Sequence, residues 1–185
     1  MISTSDFKTG MTIEYQNNIY SIIDFQHVKP GKGQAYVRTR LRNLRTGALI
    51  DFTFNAGEKM EQAMIEKKKM QYLYRDGLFY IFMDMETYEQ LQVDKDTIGE
   101  KVVYMLEGME VIAVSYMGEL LEIQLPEKVV LEVVETAPGV KGNTAANATK
   151  DAKLETGIHI SVPLFVNEGD KVVVSTIDGK YSSRA

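Results

Sequence analysis

The sequence predicts an all-β protein built from small barrels, and two observations lead to this fold class. Short runs of β-branched and aromatic residues recur along the whole chain of 185 residues, as is typical of strands. Turn-forming pairs such as Asp76-Gly77 and Asp178-Gly179 separate these runs at short intervals. Strands between turns at this spacing favour small barrels over a single sandwich.

The predicted elements follow one another as hairpins. Thr12–Tyr15 and Ile19–Ile23 flank an asparagine turn, Met70–Tyr74 and Leu78–Phe82 flank Arg75-Asp76-Gly77, and Tyr116-Met117-Gly118-Glu119 marks another reversal. Two short helices are also predicted. One covers about residues 98–106, where apolar side chains share a face, and the other lies near 57–65.

The chain divides most naturally into three domains, over residues 1–63, 64–127 and 128–185. A run of three lysines follows the first boundary, and Pro126 interrupts strand-like sequence near the second. One continuous β domain is the alternative. The small polar residues of 139–149 predict a long exposed loop, a kind of segment that is usually functional or disordered.

The charge is spread unevenly. The whole chain has a formal net charge of −5, yet residues 1–63 contain 8 Lys and Arg against 6 Asp and Glu. Residues 64–127 contain 6 against 13. The acidity therefore lies in the middle third, and a local basic face in the first third remains compatible with phosphate binding.

Several classes of function are not predicted. The chain has no cysteine, its two histidines are far apart in sequence, and nucleotide-binding and hydrolase motifs are missing. The acidic residues of 84–122 alternate with apolar ones, which favours a solvent-facing surface over a catalytic carboxylate pair. We therefore predict no catalytic residue, no metal and no cofactor. No apolar run is long enough for a bilayer and the first residues do not resemble a secretory signal, so we expect a cytoplasmic location and no membrane partner.

An arginine-rich strand is the first candidate for binding. Alternation after Ala35 places Tyr36, Arg38, Arg40 and Arg42 on one face and Val37, Thr39 and Leu41 on the other. Arginine presents a planar fork suited to phosphate oxygens, and an aromatic neighbour offers a surface for stacking. The stripe predicts contact with RNA; the alternative is a solvated edge strand whose charges prevent aggregation.

The loop before this strand is the second candidate. It contains Lys29, Pro30, Gly31, Lys32 and Gly33. Proline stiffens the start of the loop, and the two glycines allow backbone angles closed to other residues. Lys32 can therefore project from the apex towards a partner. No buried acid or base is predicted beside it, so the sequence does not support a Schiff-base or general-base role.

The residues from Asp24 to Gly47 closely resemble the first domain of the bacterial elongation factor P family. The likeness extends to Phe54–Glu58 and Met70–Tyr74, to the pattern of Gly157, Ile160, Val162, Pro163, Val166 and Gly169, and to the ending Asp178–Arg184. It covers essentially the whole chain. The resemblance implies an SH3-like (KOW-type) barrel followed by two OB-type barrels, in an L-shaped arrangement similar to tRNA.

The resemblance also implies a role on the ribosome, with rRNA, ribosomal proteins and peptidyl-tRNA as partners. Family members bind between the peptidyl and exit sites, stimulate peptide-bond formation and relieve stalling at consecutive prolines. The lysine that matches Lys32 is commonly extended by a modifying enzyme and reaches the CCA end of the peptidyl-tRNA. Lysylation, an amino-alcohol extension and no modification are each compatible with this sequence. The expected protein is a monomeric, non-enzymatic factor.

Two further sets of RNA-binding candidates come from the last third. Family members often carry Gly-Asp-Thr in the long loop near the exit-site codon, whereas this chain has Gly142, Asn143 and Thr144. Asparagine keeps an acceptor but lacks the charge, so codon-region contacts of Asn143 stay open. Tyr181 and Arg184 match family residues near the small subunit and tRNA; the alternative is a frayed terminus.

Two other classes of protein remain as alternatives. One is a general RNA-binding barrel protein, or a paralogue of the family, whose loop lysine is unmodified. The other is a hydrolase or other enzyme that uses carboxylates of the acidic middle domain.

Overall fold

The computed structural model describes residues 1–139 and 148–185. It is 56% strand and 7% helix, which confirms the predicted all-β class. The strands of the described residues form three sheets, one of six strands and two of five. Each sheet curls as in a half-barrel.

The first sheet is formed by residues 2–62. Its elements are β1 (Ile2–Ser3), a 3-10 helix (Thr4–Asp6), β2 (Thr12–Tyr15), β3 (Asn18–Val28), β4 (Tyr36–Asn43), β5 (Leu49–Asn55) and β6 (Lys59–Gln62). The strand order is β1-β6-β2-β3-β4-β5, and the strand pairs are antiparallel. The longest partners are β3 and β4, which form the hairpin that carries Lys32.

The second sheet and two short helical segments follow. The elements are β7 (Glu66–Asp76), β8 (Phe79–Asp84), β9 (Gln90–Asp94), α1 (Lys95–Ile98), a 3-10 helix (Gly99–Tyr104), β10 (Glu110–Tyr116) and β11 (Glu119–Gln124). The strand order is β11-β10-β7-β8-β9. Helix α1 begins after Asp94, whose side chain accepts a hydrogen bond from the Thr97 amide at 2.9 Å. This is a side-chain N-cap.

The third sheet completes the fold. Its strands are β12 (Lys128–Thr136), β13 (Thr149–Leu154), β14 (His159–Pro163), β15 (Lys171–Ser175) and β16 (Tyr181–Arg184). The order is β14-β13-β12-β15-β16, and all four pairs are antiparallel. The terminal strand β16 pairs with β15, so the alternative of a frayed terminus was wrong.

The predicted hairpins are confirmed, with one shift in the first turn. Gln16 and Asn17 have φ angles of 49° and 61°, and Tyr15 pairs with Asn18. The turn therefore lies one residue earlier than the predicted asparagine pair. Met117 and Gly118 form the turn between β10 and β11 with φ angles of 48° and 81°. Two left-handed residues give a two-residue turn whose twist matches that of the strands.

The helix prediction near 57–65 was wrong. Residues Lys59–Gln62 form a strand that pairs with both β1 and β2, and Met60 is buried. Backbone pairing with strands distant in sequence overrides the local helical pattern. The helix near 98–106 is present in altered form, because α1 ends at Ile98 and continues as the 3-10 segment Gly99–Tyr104.

The chain separates into two compact units. The first comprises Met1–Lys67 and Ala113–Glu122, and the second comprises Lys68–Ile112 and Ile123–Ala185. The predicted three-domain boundaries stay a prediction. Among the described residues, none of the helices has the length and apolar character needed to cross a membrane.

Each unit has its own apolar cores. In the first unit one cluster includes Ile13, Ile22, Val37, Leu41 and Phe54, all with no exposed surface. The strands β3 and β4 contribute inward-facing side chains to this cluster, so the base of the Lys32 hairpin is packed. In the second unit the third sheet closes over a separate cluster, which includes Leu131, Leu154, Val162 and Val172.

Candidate nucleic-acid interface

Lys32 lies in the loop that joins β3 to β4. Lys29, Gly31, Lys32 and Gly33 are exposed, and Pro30 is half-buried. Gly33 has a φ angle of +107°, in the region that favours glycine. Within residues 1–139 and 148–185, Lys32 makes no hydrogen bond and no ion pair, so its ammonium group is available to a partner.

Behind the loop, β4 presents the predicted stripe on its outer face. Along Tyr36–Asn43 burial alternates, with Val37, Thr39 and Leu41 buried and Arg38 and Arg40 exposed. Thr39 satisfies its hydroxyl internally by donating to the Phe52 carbonyl at 2.7 Å. The predicted assignment of the two strand faces is confirmed.

Tyr36 and Arg38 form a stacked pair closest to the loop. The Arg38 guanidinium carbon lies 5.6 Å from the centroid of the Tyr36 ring, which is a cation–π contact. An Arg38 Nη2 also donates to the Tyr36 hydroxyl at 3.5 Å. The contact places the guanidinium against the ring while the Arg38 side chain stays exposed, an arrangement suited to a phosphate or to a stacked base.

Arg40 has different neighbours from Arg38. Across the sheet Arg38 is flanked by Gln26 and Thr53, whereas Arg40 is flanked by Asp24 and Asp51. Arg38, Arg40 and these four cross-strand neighbours line a shallow groove of about 460 Å³ on the outer face. Because an acidic residue neighbours Arg40 on each adjacent strand, the local potential at Arg40 is less favourable to an anion than at Arg38.

Arg42 and Arg45 are engaged by glutamates. Arg42 Nη2 lies 3.1 Å from Glu122 Oε1. Arg45 binds Glu119 through two bonds, from Nε at 3.3 Å and from Nη2 at 3.2 Å. Arg42 was predicted as an RNA-binding residue, and its guanidinium already has a carboxylate partner inside the first unit. Sequence reasoning missed Glu119 and Glu122, which it placed on a solvent-facing acidic surface.

The last-third candidates fall into two groups. Tyr181 is half-buried and packs against the core of the third sheet. Arg184 lies over the Phe165 ring at 5.5 Å and 3.6 Å from Asp170, with 58% of its side chain exposed. Gly142, Asn143 and Thr144 lie outside the described residues. The RNA-binding roles of Tyr181, Arg184 and residues 142–144 all stay predictions.

Other possible chemistries find little support in the described residues. His27 packs edge-on against Phe25 at 5.6 Å. His159 Nδ1 lies 2.8 Å from Asp151 Oδ2 on the surface. Among residues 1–139 and 148–185, no three His, Asp or Glu residues come together in a way that could hold a metal ion.

Comparisons with known proteins connect this fold to translation. Residues 3–60 match the elongation factor P KOW-like domain, residues 65–123 match the elongation factor P OB domain, and residues 129–184 match the elongation factor P C-terminal domain. These matches define a translation factor built from KOW-like and OB domains. The three matches follow one another over almost the whole chain. The chain belongs to the elongation factor P family.

Solved structures give a related result. One is the eukaryotic translation initiation factor 5A from Methanococcus jannaschii, at 25% identity and a TM-score of 0.52. The match covers 67% of this chain and 93% of that chain. A translation initiation factor eIF-5A family protein from Naegleria fowleri matches at 17% identity and a TM-score of 0.52, over 67% and 96% of the two chains. The second likeness concerns the fold alone.

Proposed function

We propose that this factor binds the ribosome between the peptidyl and exit sites and touches the CCA end of the peptidyl-tRNA with Lys32. Contact there stimulates peptide-bond formation and relieves stalling at consecutive prolines. One observation carries the proposal: a lysine with no hydrogen bond or ion pair among the described residues lies at the end of a long hairpin, and the Tyr36–Arg38 pair follows it on β4. Membership of the elongation factor P family supports the ribosome as partner.

The proposed action is positional. Proline is a constrained secondary amine that reaches the reactive geometry poorly. A misplacement of about 1 Å can cost on the order of a hundredfold in rate, so a factor that only orients the tRNA end has a large effect available to it. The ribosome supplies the catalytic centre, and the factor itself carries out no reaction.

The residues of the hairpin are proposed to contribute unequally to binding, and those nearest the loop contribute most. Lys32 contacts the tRNA end, and Tyr36 and Arg38 contact its backbone or a stacked base. Arg40 contributes less because Asp24 and Asp51 flank it. Arg42 contributes least because Glu122 binds it. The candidates of the last third, at 142–144 and at Tyr181 and Arg184, are proposed to lie near the small subunit and tRNA. The barrels are proposed to divide as 1–63, 64–127 and 128–185.

A modifying enzyme is part of the proposal. Lys32 stands clear of its neighbours, so an enzyme can reach its amino group and extend it. An extension would add reach and hydrogen-bond donors. The factor is proposed to act as a monomer in the cytoplasm, where it meets both the ribosome and this enzyme.

The test measures translation of a reporter with consecutive prolines in a reconstituted system. Protein from its native host should raise the yield, and Lys32→Ala should remove most of this effect. Lys8→Ala, which changes an exposed lysine outside the loop, is the matched control and should act like the unchanged protein. Equal yields with Lys32→Ala and unchanged protein would disprove the proposed role.

Intact-mass and peptide-mass measurements complete the test. A mass increase on the peptide that contains Lys32 would support the modification, and an unmodified mass would remove it from the proposal. If unmodified protein rescues the reporter, the positional role of Lys32 stands, and the modifying enzyme is not needed for it.

A further inference from the structure

The base of the Lys32 hairpin is clamped by acidic residues from another part of the chain. Arg42 at the end of β4 binds Glu122, and Arg45 in the following turn binds Glu119 through two bonds. Arg45 also donates to the Asn17 carbonyl at 3.0 Å. The glutamates are both on β11, 74 and 80 residues further along the chain.

An apolar cluster lies at the same place. Leu121 packs with Ile19 and Leu44, and all three are at least 94% buried. Tyr116 packs against this cluster and donates its hydroxyl to Glu14 at 3.0 Å. The segment Ala113–Glu122 therefore belongs to the first compact unit, although the OB-domain match extends over it.

We propose that the β10–β11 hairpin is a platform that sets the direction of the Lys32 arm, with Glu119 and Glu122 as positioning residues. This inference rests on the proposed function of Lys32. The strand β4 runs without interruption from Arg42 to Tyr36, a length of roughly 20 Å at about 3.3 Å per residue. Because Val37 and Leu41 of this strand pack in the core of the first sheet, the strand turns together with that sheet. A tilt of about 3° of the sheet on the platform therefore moves the end of the arm by roughly 1 Å, a displacement large enough to affect a positional factor.

The character of the ion pairs fits orientation better than stability. Exposed ion pairs stabilise a fold only slightly, and the Arg45 and Glu119 side chains are 36% and 53% exposed. A two-bond pair between a guanidinium and a carboxylate nevertheless fixes the relative orientation of both groups. The Arg42–Glu122 pair is more enclosed, since the Glu122 side chain is only 16% exposed. Within residues 1–139 and 148–185, Arg42 Nε is buried without a hydrogen-bond partner, which makes its position sensitive to loss of the Glu122 charge.

A charge exchange at the exposed pair tests the proposal. Arg45→Glu and Glu119→Arg each place like charges together, and the double variant restores an opposite pair in reversed order. We expect each single change to lower the rate of proline-reporter rescue about tenfold and the double variant to return it to within about threefold. Glu122→Gln is expected to lower it as well. Glu89→Arg, which reverses an exposed glutamate of the second unit, is the matched control.

A distance measurement separates positioning from general damage. The chain has no cysteine, so two introduced cysteines can be spin-labelled without background. Gln34→Cys reports the arm and Met117→Cys reports the platform. Glu119→Arg should shift or broaden the label-to-label distance distribution, and the added Arg45→Glu should reverse the change. Lys32 modification, read by mass, and ribosome affinity should stay constant.

The outcomes are distinguishable. If Lys32→Ala has no effect on the reporter, the proposed function itself fails. If Lys32→Ala abolishes rescue while Glu119→Arg and Glu122→Gln leave both rescue and distances unchanged, only the platform is disproved. Activity that falls without any change in distance, or that the double variant does not recover, also overturns it.

Discussion

The two ends of the Lys32 hairpin use the same residue type for opposite purposes. Near the loop, the Arg38 guanidinium stacks on Tyr36 and has no carboxylate partner among residues 1–139 and 148–185. Near the base, Arg42 and Arg45 each bind a glutamate of β11. Both ends lie on or next to one strand. The difference shows that an arginine stripe identifies a basic face without telling which of its charges are available.

The packing also differs between the loop end and the base of the Lys32 hairpin. The side chains of Lys29, Lys32 and Gln34 are exposed, and little apolar area would be lost on substituting them. Next to Arg45, Leu44 packs in the cluster with Ile19 and Leu121. The base is therefore expected to determine stability and orientation, and the loop end to determine contact with RNA.

The largest expected effect comes from breaking the base. Leu121→Ala removes a side chain that is 6% exposed from this cluster, and we expect a loss of about 2–5 kcal/mol in the free energy of unfolding. Urea unfolding followed by circular dichroism measures the change. The matched control is Leu49→Ala, since Leu49 is 54% exposed and should change the free energy by about 0.5 kcal/mol or less.

Lys32→Ala extends this comparison to the loop end. The lysine is exposed and without partners among the described residues, so its loss should also stay within about 0.5 kcal/mol. A Leu121→Ala change as small as that of the two controls would contradict the packed base. A large destabilisation by Lys32→Ala would contradict a free loop end.

Much of the loop end could be predicted from the sequence, because its structure depends on local rules. The alternation of faces over 36–42 follows from the period of a strand, and Gly33 has the left-handed angle expected of a loop glycine. The base could not be predicted. Its glutamates lie more than 70 residues away, in an alternating acidic stretch that looks the same whether it faces solvent or arginine.

The same reason explains the wrong helix prediction near 57–65 and the rejected alternative of a frayed terminus. Lys59–Gln62 has a local pattern compatible with a helix, and only its pairing with β1 and β2 makes it a strand. The residues 181–184 look like a free end until β15 supplies their hydrogen bonds. In each case the decisive partner is distant in sequence.

Ribosome binding at different salt concentrations sharpens the contrast between the arginines. If Arg38 neutralises one phosphate, Arg38→Ala should reduce the slope of log affinity against log salt by about 0.7–0.9. Arg45→Ala should leave the slope unchanged, because Glu119 already engages that guanidinium. Arg40→Ala should fall between them, since Asp24 and Asp51 flank the charge. Equal slopes for all three variants would show that the guanidinium groups at the two ends of the hairpin are equally available to phosphate.

The smallest expected effect is a dependence on pH at the base. The Tyr116 hydroxyl donates to the Glu14 carboxylate, and this bond raises the pKa of Tyr116 above its usual value of about 10; partial burial and the Glu14 charge act in the same direction. A raised pKa means that the folded state favours the neutral phenol. The resulting stabilisation is complete below about pH 10 and is lost as the pH rises through the higher pKa of the folded state.

Tyr116→Phe isolates this contribution, since it removes the hydroxyl and keeps the ring in the cluster. Unfolding of both proteins should differ by a constant small amount from pH 7 to about pH 9, and the difference should shrink above about pH 10 as the phenol of the unchanged protein ionises. Titration of both proteins by phenolate absorbance places the pKa directly. Tyr88→Phe is the control, because Tyr88 is 71% exposed and makes no comparable contact among the described residues. A difference that grows with pH would mean that the hydroxyl favours its charged form, and the Tyr116–Glu14 bond would then not help to hold the base of the arm.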